Sequence, residues 1–336
     1  MRSIICFSCL ALASFASIGD VNAADDLRGL PVLGQERELF LQETTALRGS
    51  IGVRTFISRS ELRQKLRGGG GATIANYDFT QSDSASAEVF FSLEDDNSGA
   101  FLKGAAALGV LSGGDFRERD YDSFTSLSVW DSSSDGGDGT ISYANIDAGV
   151  HWGDFWGGRV KTTAFAGYQY VNENYVADGL RCNPVQLGVS KCPGALPYPN
   201  SRKAYDIDAN WHLLRLGLGV DADLGNGLFF QGEAAAIPAG YYDAEATILY
   251  QVPALGPAPN VVSDGTGAYG LQAEGILTYD VTENFTIGAG GRYWWFNSGE
   301  VPTTYAASTV FPLLKSSKTE VTSERYGVIA EAKYRF

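Results

Sequence analysis

At the end of the chain every second residue is apolar or aromatic: Tyr326, Val328, Ala330, Ala332, Tyr334 and Phe336. The other parity is mostly polar or charged, with Arg325, Glu331, Lys333 and Arg335. A period of two builds a strand with one apolar and one wet face. Here the apolar face is capped by aromatics at both ends and the wet face is charged, the pattern of a strand that crosses an outer membrane. Comparable alternation predicts strands at 44–58, 73–95, 99–113, 139–153, 158–178, 205–222, 227–250, 266–281, 285–299 and 319–336.

The connections alternate in character as well. Residues 94–99, 153–157, 223–227 and 281–284 read as tight turns, whereas 59–72, 114–138, 179–204, 251–265 and 300–318 are long and polar or rich in Gly and Pro. A soluble sandwich has no reason to alternate loop lengths in this way. The expectation is an all-β fold, a ten-stranded antiparallel transmembrane β-barrel with short periplasmic turns and long extracellular loops, covering 44–336.

Reading each strand with its apolar face outward places Arg48, Arg54, Glu88, Glu94, Lys103, Asp147, His151, Lys161, Arg215, Glu233, Glu274, Arg292, Glu331 and Lys333 inside. Both signs are present in near-equal number, and buried charges persist when paired. The expectation is therefore a lumen plugged by ion pairs rather than a wide diffusion channel. Trp152, Phe155 and Trp156 at one end, with Trp294, Trp295, Tyr241, Tyr242 and Tyr250 at the other, read as two interfacial girdles.

Composition narrows the classes. A formal charge of -14 argues against nucleic acid as a partner. After residue 23 no run reaches the roughly 18 consecutive apolar residues of a membrane helix. Residues 1–23 read as a signal peptide, with Arg2, an apolar run from Ile4 to Ile18 and Val21-Asn22-Ala23 as the cleavage site. Residues 24–43 are then a periplasmic N-terminal segment. Cys182 and Cys192 remain as an even, closely spaced pair in an exported chain, best read as one disulfide.

Ser132-Ser133, then Ile141-Ser142-Tyr143-Ala144-Asn145-Ile146-Asp147, a two-tryptophan turn and Ala166-Gly167-Tyr168-Gln169 resemble the middle of the omptins, ten-stranded outer-membrane proteases. The resemblance extends over strand count, loop order and a closing strand ending in Phe336. It implies a bacterial outer-membrane location and contact with outer-membrane lipid, with lipopolysaccharide among the candidates. It also implies recognition by the barrel-assembly machinery through Phe336. Omptin chemistry needs a water held between an Asp pair and an Asp-His pair, the histidine serving as base near neutral pH. The Asp pair would fall on Glu118 and Asp120, and the Asp-His pair near Asp243 and Glu245, where no histidine stands.

His151 and His212, the two histidines of the chain, read as too far down their strands to reach the mouth. The reading is thus a barrel without enzymatic activity, serving as surface structure, recognition element or narrow solute passage. Its alternatives are an endopeptidase with altered residues and a small-solute porin. No cofactor or metal is implied: Asp131 to Asp138 begins like a calcium loop but lacks the acidic twelfth ligand, and Gly68 to Gly71 reads as a loop tip. The basic 59–72 stretch and the acidic 114–138 stretch read as solvated loops or as loops that pair with one another, the alternative being a charged mouth that holds lipid phosphates or a cationic peptide.

Overall fold

A computed structural model describes residues 47–186, 198–251, 255–306 and 317–336. Within them the chain forms β1 (Leu47–Arg67), β2 (Thr73–Asp95), β3 (Ala100–Ser112), β4 (Asp115–Tyr121), β5 (Ser128–Gly136), β6 (Gly139–Phe155) and β7 (Val160–Cys182). There follow β8 (Tyr198–Gly225), β9 (Leu228–Ile248), a 3-10 turn at Leu249–Gln251, β10 (Val261–Thr266), β11 (Tyr269–Asp280), β12 (Phe285–Tyr305) and β13 (Ser317–Arg335). All pairings are antiparallel and the sheet closes on itself through β1 and β13, from Ser50 opposite Arg335 to Arg67 opposite Lys318. Among the described residues closure leaves no unpaired sheet edge, a condition for strands to stand in lipid.

Three successive pairs share the same neighbours and form interrupted staves: β3 and β4 both pair with β2, β5 and β6 both with β7, and β10 and β11 both with β9 and β12. The wall among the described residues therefore has ten staves. At the first interruption Gly113 and Gly114 adopt φ of 67° and 87° opposite Gln81 at φ 57°. A Cβ on Gly114 would stand 2.5 Å from the Thr80 carbonyl oxygen, so glycine is required there. At the opposite end of the barrel Asn226-Gly227, both with positive φ, joins β8 to β9 in the two-residue turn that suits a twisted hairpin.

Several stretches expected to be loops are strand. β1 runs on to Arg67, β12 to Tyr305, and 115–136 is a hairpin of two strands. Asp131, the expected start of a calcium-loop mimic, lies on β5 and is ion-paired to Arg117 at 2.6 Å. The cause is visible on β1. Its outward residues are apolar through Ile51, Val53 and Ile57 and then become Arg59, Glu61, Arg63 and Lys65, while its inward residues change from Arg48 and Arg54 to the buried Leu62 and Leu66. The parity never changes; the polarity of the two faces exchanges. Below the exchange the outer face meets lipid and the lumen holds charge. Above it the outer face meets water and the inside becomes an ordinary apolar core. A strand needs roughly 9–11 residues to cross the bilayer, and β1 has 21, so about half of it stands clear of the membrane.

That upper core is aromatic. Phe79, Phe116, Tyr175, Tyr205, Trp211, Tyr242 and Phe296 are buried, with Phe79 to Phe116 at 4.6 Å, Phe116 to Tyr205 at 4.9 Å and Trp211 to Tyr242 at 4.5 Å between ring centroids. Burying a side chain of this kind contributes roughly 1.5–3 kcal/mol. Three residues expected in the girdle are therefore corrected. Trp294 and Tyr242 point inward and are buried, and Tyr250 folds over the interior; Trp152, Phe155, Trp156, Trp295 and Tyr241 remain on the outside. Cys182 ends β7, while Cys192 and residues 1–46 lie outside the described residues.

Candidate functional site

Three clusters of chemistry follow from this wall. The lowest is the lumen. Arg54 contacts Glu331 at 2.6 Å, Glu88 at 3.1 Å and Glu274 at 3.3 Å, and Arg292 contacts Glu274 at 2.5 Å, Glu88 at 2.9 Å and the Tyr143 hydroxyl at 3.1 Å. One layer away Arg215 bridges Asp147 and Glu233, both at 2.6 Å, and Lys103 joins Glu233. Nearer the short turns Arg48 pairs with Glu94 and Asp96, the His151 Nε2 meets Glu94 at 2.8 Å, and Lys333 donates to Gln231 at 3.3 Å. Lys161 lines the same space.

Most of these residues, though not the fully buried Glu88 and Glu331, line a cavity of about 750 Å³ that extends up to Arg292 and Trp294. Above it the buried pair Arg325 and Glu173, at 2.9 Å, and then the aromatic core fill the interior. Removing charges from water is costly, and the neighbouring opposite charges offset that cost. The lumen is thus a charge-balanced, partly open chamber beneath a packed plug.

The second cluster lies at the mouth, above the membrane. Glu118 on β4 points inward and is 1 % exposed. Its carboxylate accepts hydrogen bonds from the Tyr250 hydroxyl and, at 3.3 Å, from the Ser132 hydroxyl. Trp130 donates to Ser132 at 3.0 Å and stacks on Tyr250 with ring centroids 5.9 Å apart. Burial, then the charge of Asp120 on the same face of β4, push the Glu118 carboxyl up to about 8. It therefore holds its proton at neutral pH. The remaining walls are the phenols of Tyr77, Tyr205 and Tyr305, themselves pushed up by burial.

The third cluster is on the outside of the barrel. Asp243 and Glu245, expected beside the mouth pair, stand on the outward face of β9. The structure keeps them on the opposite side of the wall from Glu118 and Asp120, so the four carboxylates do not form one site. The reason is parity: Tyr242 and Ala244 take the inward positions and are buried. Asp243 accepts from the Asn210 amide at 2.9 Å and lies 3.8 Å from the His212 Nε2. His212 Nδ1 shares a 2.6 Å hydrogen bond with the Tyr168 hydroxyl. An Asp-His pair exists, but it faces the membrane surface. The two-residue turn at Asn226-Gly227 carries only part of the signal for it, because the register that turn sets slips twice along β8 and β9, between Asp223 and Gly225 and between Leu214 and Leu216. Tyr250, Glu173 and Arg325 show no comparable signal, since their contacts cross the barrel between staves distant in sequence, whereas Ser132 faces Glu118 within the β4–β5 hairpin, a pairing hidden because 114–138 reads as a loop.

No protein-family model and no curated protein matches the chain. Among solved structures it is similar to the outer membrane protease OmpT of Escherichia coli, at 13% identity and a TM-score of 0.66, covering 85% of this chain and 97% of that one. The NalP autotransporter translocator domain of Neisseria meningitidis gives a TM-score of 0.30 at 13% identity, with 85% and 89% covered. Ail of Yersinia pestis, in complex with a heparin analogue, gives 0.24 at 11% identity, with 84% and 99% covered. The likeness to OmpT, the closed antiparallel wall and its apolar belt identify the fold of this chain as an omptin-like outer-membrane β-barrel.

Proposed function

We propose that this chain is a non-catalytic outer-membrane barrel whose extracellular half acts as a rigid surface structure for recognition. The observation that carries the reading is the state of the mouth. Where a protease of this fold would need a water-filled cleft, the interior is packed with aromatic side chains, and Glu118 is buried under Tyr250 and Trp130. Among the described residues neither histidine stands there: His151 lines the lower chamber and His212 faces outward. A general base able to accept a proton near neutral pH is what peptide hydrolysis asks for, and a protonated carboxyl is instead an acid. The same plug disfavours a porin. An export signal at 1–23 and a disulfide between Cys182 and Cys192 belong to this reading; titration of two free thiols in the native protein would remove the disulfide from it.

One arrangement favours a second reading, a carboxylate-only endopeptidase: Glu118 and Asp120 share the inward face of β4, and burial and the charge of Asp120 push the Glu118 carboxyl up. The experiment that separates the two is peptide cleavage by the refolded full chain in detergent with lipopolysaccharide, across about pH 5 to 9, beside Asp120→Ala. The non-catalytic reading expects no cleavage in either protein. Cleavage by the wild type that is lost in Asp120→Ala would establish the peptidase instead.

A further inference from the structure

We infer that the outer wall over β8, β9 and β11 is a seat for a single outer-leaflet lipid whose head group carries an ammonium. Two features of that wall, one apolar and one charged, lie along the same strands.

The apolar feature is a groove in the lipid-facing belt. Its floor is Ala234, Ala236 and Ala273, and its sides are Leu216 and Leu218 on one flank and Leu271 and Tyr293 on the other. Its volume is about 590 Å³, within the range of roughly 300–1,000 Å³ typical of small-ligand sites. Pro238 sits in β9 where the pairing with β8 slips between Leu214 and Leu216. Proline cannot donate to the ladder, and a bulge of this kind re-aims the strand at the upper end of the groove.

The charged feature lies further up the same strands, its first carboxylate three outward pairs above Leu216 and Ala236. Leu214 and Ala239 are followed upward by His212 opposite Tyr241, then Asn210 opposite Asp243, then Asp208 opposite Glu245. On the next strand Asp264 stands opposite Asp243. Two pairs of carboxylates therefore face each other directly on the outer surface, Asp208 with Glu245 and Asp243 with Asp264. Like charges in this relation are destabilising. Lys203 on β8 is engaged with Asp206 at 3.1 Å, and the imidazole of His212 lies 3.8 Å from Asp243. On the opposite wall carboxylates also face each other, Glu61 with Glu324 and Glu300 with Glu320, but cations stand among them: Arg63 pairs with Glu61, Arg67 with Glu300 at 3.1 Å and with Glu320 at 3.5 Å, and Lys318 with Glu300 at 3.3 Å.

The unbalanced wall thus presents negative charge and the Tyr168, Tyr170 and Tyr241 hydroxyls at head-group height, over a groove shaped for hydrocarbon. A phosphate-dominated head would meet repulsion there. An ammonium head would relieve the repulsion while its chain fills the groove.

The test uses the full chain reconstituted in nanodiscs of phosphatidylethanolamine and phosphatidylglycerol with matched chains, extracted in mild detergent, with retained lipids counted by native mass spectrometry. Wild type should retain the ethanolamine lipid over the glycerol lipid by about fivefold, the scale of an exposed charge pair. Asp243→Asn combined with Asp264→Asn should abolish that preference while leaving total retention similar. Ala236→Phe, which fills the groove, should lower retention of both lipids. Heat-modifiable migration confirms folding of each variant. Equal retention of the two lipids by wild type, an unchanged preference in the double variant, or undiminished retention in Ala236→Phe would each overturn the inference. So would a second copy of the chain, or a cationic peptide, occupying the groove in place of lipid.

Discussion

The buried pair Arg325 and Glu173 separates the polar chamber from the aromatic core, and breaking it tests whether that core is a plug held by electrostatics. Both side chains are 1 % exposed. Arg325 donates to Glu173 at 2.9 Å, to Ser84 at 2.6 Å, to Ser58 at 3.2 Å and to the Tyr175 hydroxyl at 3.4 Å. Glu173 also accepts from Ser323 at 2.8 Å and from Tyr175 at 3.4 Å. Removing one member of such a pair costs about 3–5 kcal/mol, because the other is left charged in a poor solvent.

The two single variants should not cost the same. In Arg325→Met the orphaned carboxyl can take up a proton and keeps the Ser323 and Tyr175 hydroxyls, which places its cost near about 3 kcal/mol. In Glu173→Leu the guanidinium cannot deprotonate, and its three hydroxyl partners supply no charge, which places the cost near about 5 kcal/mol. The double variant Arg325→Met with Glu173→Leu leaves no orphan and should lie well below the sum, a coupling of about 1–3 kcal/mol. The assay is reversible urea unfolding in lipid vesicles, followed by the fraction that keeps heat-modifiable migration. Single costs under about 1 kcal/mol, or additivity within about 0.5 kcal/mol, would refute the account of the plug.

Three further outcomes follow from the same wall. Val53, outward in the middle of the apolar belt on β1, should cost about 2–4 kcal/mol on change to Arg, whereas the outward Lys65 above the belt should tolerate Leu within about 0.5 kcal/mol; equal costs in the urea assay would remove the polarity exchange as an explanation. Glu118 binds its proton more tightly folded than unfolded, so its contribution is undiminished below about pH 4.5 and stability declines as pH rises towards about 8. The total loss is at most about 5 kcal/mol at about 1.4 kcal/mol per pH unit. Glu118→Gln should flatten that slope between pH 5 and 9, and parallel urea midpoints for variant and wild type would contradict it. In planar bilayers the intact protein should conduct no ions while the plug is folded; steady conductance in wild type would show a wet path through it.

The ring of strands is legible in the sequence because lipid imposes one rule on every stave: outward apolar, with the short turns at one end. That rule suffices to place Arg54, Glu88, Lys103, Asp147, Arg215, Glu233, Glu274, Arg292 and Glu331 on one side of the wall, since parity alone decides the face. It stops being informative at the membrane surface. Beyond Ile57 the outward positions of β1 are Arg59, Glu61, Arg63 and Lys65, and a reading that follows apolar residues outward sees the strand end there. Water reverses the sign of the preference without altering the geometry, so the same alternation continues with Leu62 and Leu66 inside. Asp243 and Glu245 are misplaced at the mouth for the same reason, as residues expected to mark a site when they are the hydrated face of a strand. A long outer-membrane strand is therefore better read for alternation of either sign. The residue where the sign changes marks the membrane surface, and the apolar residues beyond it mark whether the mouth is an open cleft or, as in this chain, a core.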